Sequence, residues 1–292
     1  MRVLITGGRG QLGCALQDSL TQHDVSALDL PEMDVTDPED VRRAFDESRP
    51  EVVIHAAAWT DTAGCESDPE RALLVNGEGT RHVAEACERG GVVMLYVSTN
   101  EVFDGETAEP YTEEAEPNPI NAYGRSKLAG ERHVQSTVER YYVVRTSWLY
   151  GSGRVSFPEK VLQAAAEARP LKGVTDEIAS PTWTTDLAAG IAALVLGAPF
   201  GTYHLTNSGH CSRLEWVREI VRLAGLGDLT VEPTSQSEFG VPYRKPRFSA
   251  LANFNAASLG IELRPWQQAL EEHLRRPRRA CEVGTPAPQV NR

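Results

Sequence analysis

Short apolar runs rich in β-branched residues recur through the first half of the chain: VLIT, VSALDL, VVIHAAA, VVMLYVS and YYVVRTS. Between them lie stretches with helical periodicity, beginning at Gln11, Pro38, Pro69 and about Ala122. These keep their charge on one face, as in EDVRRAFDESR and PERALLVNGEGTRHVAEACER. Apolar runs without polar alternation suit strands covered on both sides, and strands that alternate with helices are joined in parallel. The pattern predicts an α/β fold, a doubly wound parallel sheet of Rossmann type.

After Tyr150 the rhythm changes. GSGR leads into a predicted helix over Phe157 to Ala168, a short strand over Leu171 to Val174, a helix over Asp186 to Leu196 and a strand in GTYHLTN. A helix over 213–224, a loop holding Pro233 and Pro242, and a helix after Pro265 follow. We read residues 1–150 as one domain, to which 171–206 returns. Residues 151–170 and 207–274 form a smaller interleaved C-terminal lobe, and 275–292 a flexible tail.

Composition narrows the function. The 292 residues are 41% hydrophobic, enough for a core without disulfide or metal staples. Lys and Arg number 29 against 41 Asp and Glu, a formal charge of −12. A field of that sign repels phosphate backbones and anionic lipid, so nucleic acid and membrane are not expected partners. The five cysteines are scattered with no C-x-x-C pair and no histidine at ligand spacing, so they read as reduced thiols of a cytosolic protein. No run of 18 apolar residues is present, and Met1 leads into RVLIT without the layout of a signal peptide, which predicts a cytoplasmic protein.

Candidate chemistry begins in VLITGGRGQLG, where Gly7, Gly10 and Gly13 stand between a predicted strand and a predicted helix. Glycines there let the backbone turn tightly and approach a pyrophosphate, whose charge is stabilised by N–H groups at the helix start. Asp29 closes the second strand, where an acid accepts hydrogen bonds from an adenosine ribose and favours NAD. Arg9 in the glycine loop could instead meet a 2′-phosphate, so NADH and NADPH both remain open. In NAYGRSK, Tyr123 and Lys127 lie four residues apart on one helical face. An ammonium one turn from a phenol favours the phenolate and brings its pKa towards the working range. The fourth strand ends in LYVSTNEVF, placing Ser98 and Thr99 where parallel sheets bind ligands.

TGGRGQLG, HAAAWT, STNEVF and YGRSK together resemble the extended short-chain dehydrogenase/reductase superfamily. YGRSKLAGE, RTSWLYG, ASPTWTTDLA and RKPRFSALANFNAASLG resemble more narrowly the dTDP-4-dehydrorhamnose reductase family. The likeness runs from Met1 to about Leu274. It implies NADPH- or NADH-dependent reduction of a C4 ketone on a nucleotide-activated 4-keto-6-deoxysugar, usually carried on dTDP, by a monomer or homodimer. By matched position, Tyr123 would protonate the oxygen at C4, Lys127 would hold the nicotinamide ribose and Thr99 would polarise the ketone. Gly10, Gln11 and Leu12 match the pyrophosphate loop, and Asp29, Asp34 and Val35 the adenosine end. Ala56, Ala57, Ala58, Trp59 and Thr60 match the wall beside the cofactor. Trp148 corresponds to an aromatic platform against the sugar, and Arg247 is expected to help bind the substrate's phosphates.

Two departures lie beside the expected sugar pocket. The family pattern S-T-D-Y-V-F reads Ser98-Thr99-Asn100-Glu101-Val102-Phe103 here, and T-x-V-D-x-A-E reads Thr60 to Glu66 as TDTAGCE. Asn100 and Glu101 therefore enter the substrate set, and a related deoxysugar 4-ketoreductase of natural-product glycosylation fits as well as the rhamnose enzyme. The resemblance also implies no metal, since Ala15 stands where some members carry a Mg²⁺-binding Glu. Two rivals follow from the same residues. A 4,6-dehydratase or epimerase would use Glu101 as a base at C5, but Asn100 has no ionisable proton for the departing hydroxyl. A non-catalytic regulatory subunit would keep the fold without the reaction.

Overall fold

The computed structural model describes residues 1–276. Its first half alternates as the apolar runs require: β1 (Arg2–Thr6), α1 (Gln11–Ser19), β2 (Asp24–Leu28), α2 (Pro38–Ser48), β3 (Val52–His55), α3 (Thr62–Ser67), α4 (Pro69–Leu73), α5 (Gly79–Gly90), β4 (Val93–Thr99), α6 (Ala122–Thr137) and β5 (Tyr141–Thr146). One π-helical turn, Leu74–Glu78, joins α4 to α5. The second half runs β6 (Leu149–Tyr150), α7 (Phe157–Ala166), β7 (Leu171–Val174), β8 (Ile178–Ala179), β9 (Thr182–Trp183), α8 (Thr184–Val195), β10 (Gly201–His204), β11 (Cys211–Ser212), α9 (Arg213–Leu223), β12 (Val231–Thr234), α10 (Gln236–Phe239), α11 (Phe254–Ser258) and α12 (Trp266–Arg275).

Six strands form one parallel sheet in the order β10-β5-β4-β3-β1-β2. The inner strands β1, β3, β4 and β5 are covered on both faces. In β1, Val3 and Ile5 join Leu12 and Leu16 of α1 and Leu187, Ile191 and Leu194 of α8. Leu4 points the other way, to Val41 of α2, Val83 of α5 and Val134 of α6. The order of strand addition reverses between β1 and β3, which opens a crevice at the carboxyl ends of these strands.

Helix starts are specified locally. Asp37 accepts from Glu39 N–H with Pro38 at the first helical position of α2, and Asn121 accepts from Gly124 N–H at the start of α6. Capping boxes close Ser156 onto Glu159 and Ser212 onto Glu215. A third apolar cluster, built on Tyr150, Trp183, Trp216, Trp266 and Leu270, holds the second half together.

The structure departs from the sequence reading at two places. Leu171–Val174, expected to return to the main sheet, pairs with β12 instead, whereas β10 does join the main sheet. The segment around Pro233, expected to be loop, contains β12, in which Pro233 lies opposite Gly173. A two-stranded pair has a free side that needs no N–H, so proline is tolerated there. The expected tail lies outside the described residues except for Arg275 and Arg276, at the end of α12. No described helix is long and apolar enough to cross a membrane.

Candidate active site

A cleft of about 770 Å³ runs over the carboxyl ends of β1, β3 and β4. It is lined by Gly7, Arg9, Gly10, Gln11, Leu12, Gly13, Asp29, Asp34, Val35, Ala56, Ala57, Ala58, Trp59 and Thr60 at one end. Thr99, Asn100, Glu101, Tyr123, Lys127 and Trp148 line the other. Every expected site residue except Arg247 therefore contributes to the lining of one cavity.

The glycine loop forms its floor. Gly7 has φ +74°, and a Cβ on Gly13 would stand 2.2 Å from the carbonyl oxygen of Gly7. Only a residue without a side chain allows that turn to fold back on α1. Gly10 precedes α1 with no side-chain cap, so the first N–H groups of the helix remain available to an anion. This fits the pyrophosphate of a dinucleotide. Asp29 accepts from Arg9 N–H at 3.0 Å and from Leu30 N–H at 2.9 Å. Asp34 is turned into its own loop, bonding Thr36 N–H at 2.9 Å and the Thr36 hydroxyl at 2.7 Å.

The wall after β3 is fixed by a residue the sequence reading did not single out. The π turn directs Asn76 inward, where its Oδ1 accepts from Trp59 N–H at 2.8 Å. Its amide donates to the Trp59 carbonyl at 3.0 Å and to Ser126 Oγ at 2.9 Å. Arg71 stacks over Trp59 at 4.7 Å and also lines the cleft, as do Thr62 and Arg154. Gln11 reaches across to the carbonyls of Gly151 at 3.0 Å and Arg154 at 3.2 Å. Asn76, Arg71 and Arg154 belong to no spacing pattern; the GSGR punctuation was the one signal at 151–154.

At the reacting end, the Thr99 hydroxyl donates to Asn100 Oδ1 at 3.3 Å and accepts from Glu101 N–H at 3.2 Å. Burial, then the nearby Glu101 carboxyl, push the Tyr123 phenol well above its ordinary pKa, and the neighbouring Thr99 hydroxyl opposes them only in part. Lys127 donates to the carbonyl of Val97 at 2.8 Å and lies 4.2 Å over the Tyr96 ring. Burial brings its pKa down to about 7, against a raising effect from Glu131. Lys127 is not among the groups that act on the Tyr123 phenol, so the expected lowering of the Tyr123 pKa by Lys127 is not seen in the free chain.

Glu101 accepts from Asn121 Nδ2 at 2.6 Å, and burial is the main cause of its raised pKa. Asn100 is turned away, its amide donating to Ser249 Oγ at 2.7 Å. Glu66, at the end of the altered TDTAGCE segment, accepts from Ala122 N–H at 2.8 Å and steadies the turn that carries Tyr123.

Trp148 has φ +43°, a left-handed conformation costly for a bulky residue. The Arg213 guanidinium covers one face of its ring at 3.5 Å and donates to Glu177 at 3.0 Å. Lys245 holds the other oxygen of Glu177 at 3.1 Å. Burial would raise the Glu177 pKa, but the two cations outweigh it and hold the carboxyl below its usual range. Arg247, expected at the substrate, does not line the cleft; it is exposed, and its backbone carbonyl accepts from Ile178 N–H at 2.8 Å. In RKPR, Lys245 and not Arg247 joins the inward-facing charge cluster. The described residues hold no group of three or more His, Cys, Asp or Glu arranged for a metal.

Comparison with known proteins agrees with this architecture. The family model described as the RmlD substrate binding domain matches residues 1–279. A dTDP-4-dehydrorhamnose reductase of Streptomyces griseus is 40% identical, covering 98% of this chain and 97% of its own. A dTDP-4-keto-6-deoxy-D-glucose reductase of Streptomyces niveus is 35% identical over 93% of this chain and 96% of its own. The solved dTDP-4-dehydrorhamnose reductase of Bacillus anthracis, in complex with NADP, superposes with a TM-score of 0.90 at 36% identity, covering 94% of this chain and 98% of that one. With its glycine loop, its Thr99–Tyr123–Lys127 cluster and relatives matched along nearly their whole length, the chain belongs to the dTDP-4-dehydrorhamnose reductase family.

Proposed function

We propose that the protein is an NADPH- or NADH-dependent oxidoreductase that reduces the C4 ketone of a dTDP-linked 4-keto-6-deoxysugar. The observation that carries this reading is the convergence of Thr99, Tyr123 and Lys127 on the same cleft as the open glycine loop. When bound, the reduced nicotinamide supplies the hydride for C4. Thr99 donates a hydrogen bond to the ketone oxygen, and Tyr123 delivers its phenolic proton there as the alkoxide charge develops. Lys127 orients the nicotinamide ribose. The glycine loop with Gln11 and Leu12 holds the pyrophosphate, Asp29, Asp34 and Val35 the adenosine end, and Ala56 to Thr60 the wall.

The substrate set is Thr99, Asn100, Glu101, Tyr123 and Trp148, with Arg213 and Lys245 replacing Arg247 as the nearby cations. The dehydratase reading is disfavoured because Asn100 has no ionisable proton and its amide is engaged by Ser249. We take residues 1–150, with β10, as the dinucleotide-binding domain and the remainder as a substrate lobe. We further take the enzyme to act in the cytoplasm, as a monomer or homodimer, in deoxysugar biosynthesis for natural products. The test is a panel of 4-keto dTDP-sugars generated in situ, with NADPH and NADH consumption followed spectroscopically and product configuration read by NMR. Stoichiometric oxidation with a C4 alcohol as product supports the proposal. No oxidation with any member of the panel refutes it.

A further inference from the structure

The adenosine end of the cleft holds an ion pair that the glycine-loop reading did not include. Arg9 directs its guanidinium to the carbonyl of Leu30 and to the carboxylate of Glu32, while its backbone N–H is held by Asp29. Glu32 is three residues beyond Asp29, in the loop that follows β2. In doubly wound sheets this corner receives the adenosine ribose, and a 2′-phosphate there needs a cation. Arg9 lines the cleft. The neighbouring Arg43 is committed elsewhere, to the Asp40 carboxylate at 2.6 Å and the Glu32 carbonyl at 3.3 Å. Glu32 thus holds the one available guanidinium, while Asp29 holds the backbone N–H of the same arginine and leaves a second negative charge nearby.

We propose that Glu32 sets the cofactor preference of this chain by sequestering Arg9, so that NADPH must compete with Glu32 for the guanidinium whereas NADH need not. The inference rests on the reading that this cleft binds a nicotinamide dinucleotide. Both side chains of the pair are more than a third exposed, at 39% and 46%, so the pair is weak enough for a phosphate to displace. A phosphate offers Arg9 a bidentate partner of higher charge than a carboxylate. It does so beside a second acid, Asp29, which opposes it.

The experiment measures Kd for NADPH and NADH by isothermal titration calorimetry on the full chain, comparing the native protein with Glu32→Gln, Glu32→Asp, Arg9→Ala and the Arg9→Ala/Glu32→Gln double variant. Glu32→Gln should tighten NADPH about fivefold, the scale of freeing one half-exposed charge pair, and leave NADH within about twofold. Glu32→Asp should keep the native ratio. The double variant should lose the gain, because the effect passes through Arg9. An unchanged NADPH Kd in Glu32→Gln overturns the proposal. So does a gain that persists without Arg9, since Glu32 would then act only as a repelling charge. If the native chain binds neither dinucleotide, the cofactor reading itself falls and the proposal falls with it.

Discussion

Replacing Glu131 with Gln should cost far more stability than the loss of an ordinary hydrogen bond. Glu131 and Arg145 are a buried ion pair, with side-chain exposures of 1% and 4%. They join in fork geometry, Nε to Oε1 at 3.0 Å and Nη2 to Oε2 at 2.7 Å, and Ser98 Oγ donates to Oε1 at 2.5 Å. Arg145 Nη1 is already without a partner among the described residues. A glutamine of the same shape removes the charge and turns an amide donor against the guanidinium, leaving a buried cation uncompensated. Breaking such a pair costs about 3–5 kcal/mol. At about 2–4 °C per kcal/mol for chains approaching this size, the melting temperature should fall by about 6–20 °C. Urea unfolding at neutral pH measures the loss directly as a shift in midpoint. Replacing both partners with apolar residues, Glu131→Leu with Arg145→Met, should recover most of it, because no orphaned charge remains. A loss below about 1 kcal/mol in Glu131→Gln, or a double variant no more stable than the single one, would refute the reasoning.

The remaining expectations concern chemistry, loop geometry and pH. Tyr123→Phe should lower the single-turnover rate of NAD(P)H oxidation by about 10²–10⁴-fold with the fold intact; an unchanged rate removes Tyr123 from the proton-donor role. Gly13→Ala drives a Cβ to 2.2 Å from the Gly7 carbonyl, so cofactor binding should weaken at least about tenfold in a titration, and undiminished affinity would show that the loop yields. His55 and His204 are both depressed to about 3, burial being the first cause in each and Lys127 or Arg145 the second. An unfolded histidine titrates near 6.5, so between 6.5 and about 3 the unfolded chain binds more protons and stability drops as pH falls. The unfolding free energy from urea titration should decline on acidification by up to about 1.4 kcal/mol per pH unit for each histidine, and His55→Gln should lessen the slope. A midpoint constant from pH 7 to 5 would contradict this.

Periodicity revealed most of the scaffold because strands covered on both faces leave a continuous apolar record, as β1, β3, β4 and β5 do. The helix of Tyr123 was equally readable: Asn121 is a natural cap, and its helix begins at Ala122 as expected. β12 was hidden because Val231-Glu232-Pro233-Thr234 has neither alternation nor an apolar run; only its pairing with β7 makes it a strand. The cofactor half of the cleft is encoded in contiguous motifs, since a backbone cradle must be made from consecutive residues. The charged and amide groups at the other end, Glu101 with Asn121, and Glu177 with Arg213 and Lys245 behind Trp148, come from distant segments, and no spacing rule joins them. Arg247 was misplaced for the same reason. In a stretch reading RKPR, only the path of the backbone decides which cation turns inward.

Asn76 has a mechanical consequence. By bonding the backbone of Trp59 and the side chain of Ser126, it welds the cofactor wall to the helix that carries Tyr123 and Lys127. Neither can swing aside without breaking the other's anchorage, so this flank behaves as a fixed jaw. Across the cleft, Gln11 bonds the carbonyls of Gly151 and Arg154, and the strand-free segment around Lys245 is held by Glu177 and by Asn121 through the Arg244 carbonyl. The spacing between the Tyr123 helix and the Trp59 wall is thereby set once, when the chain folds.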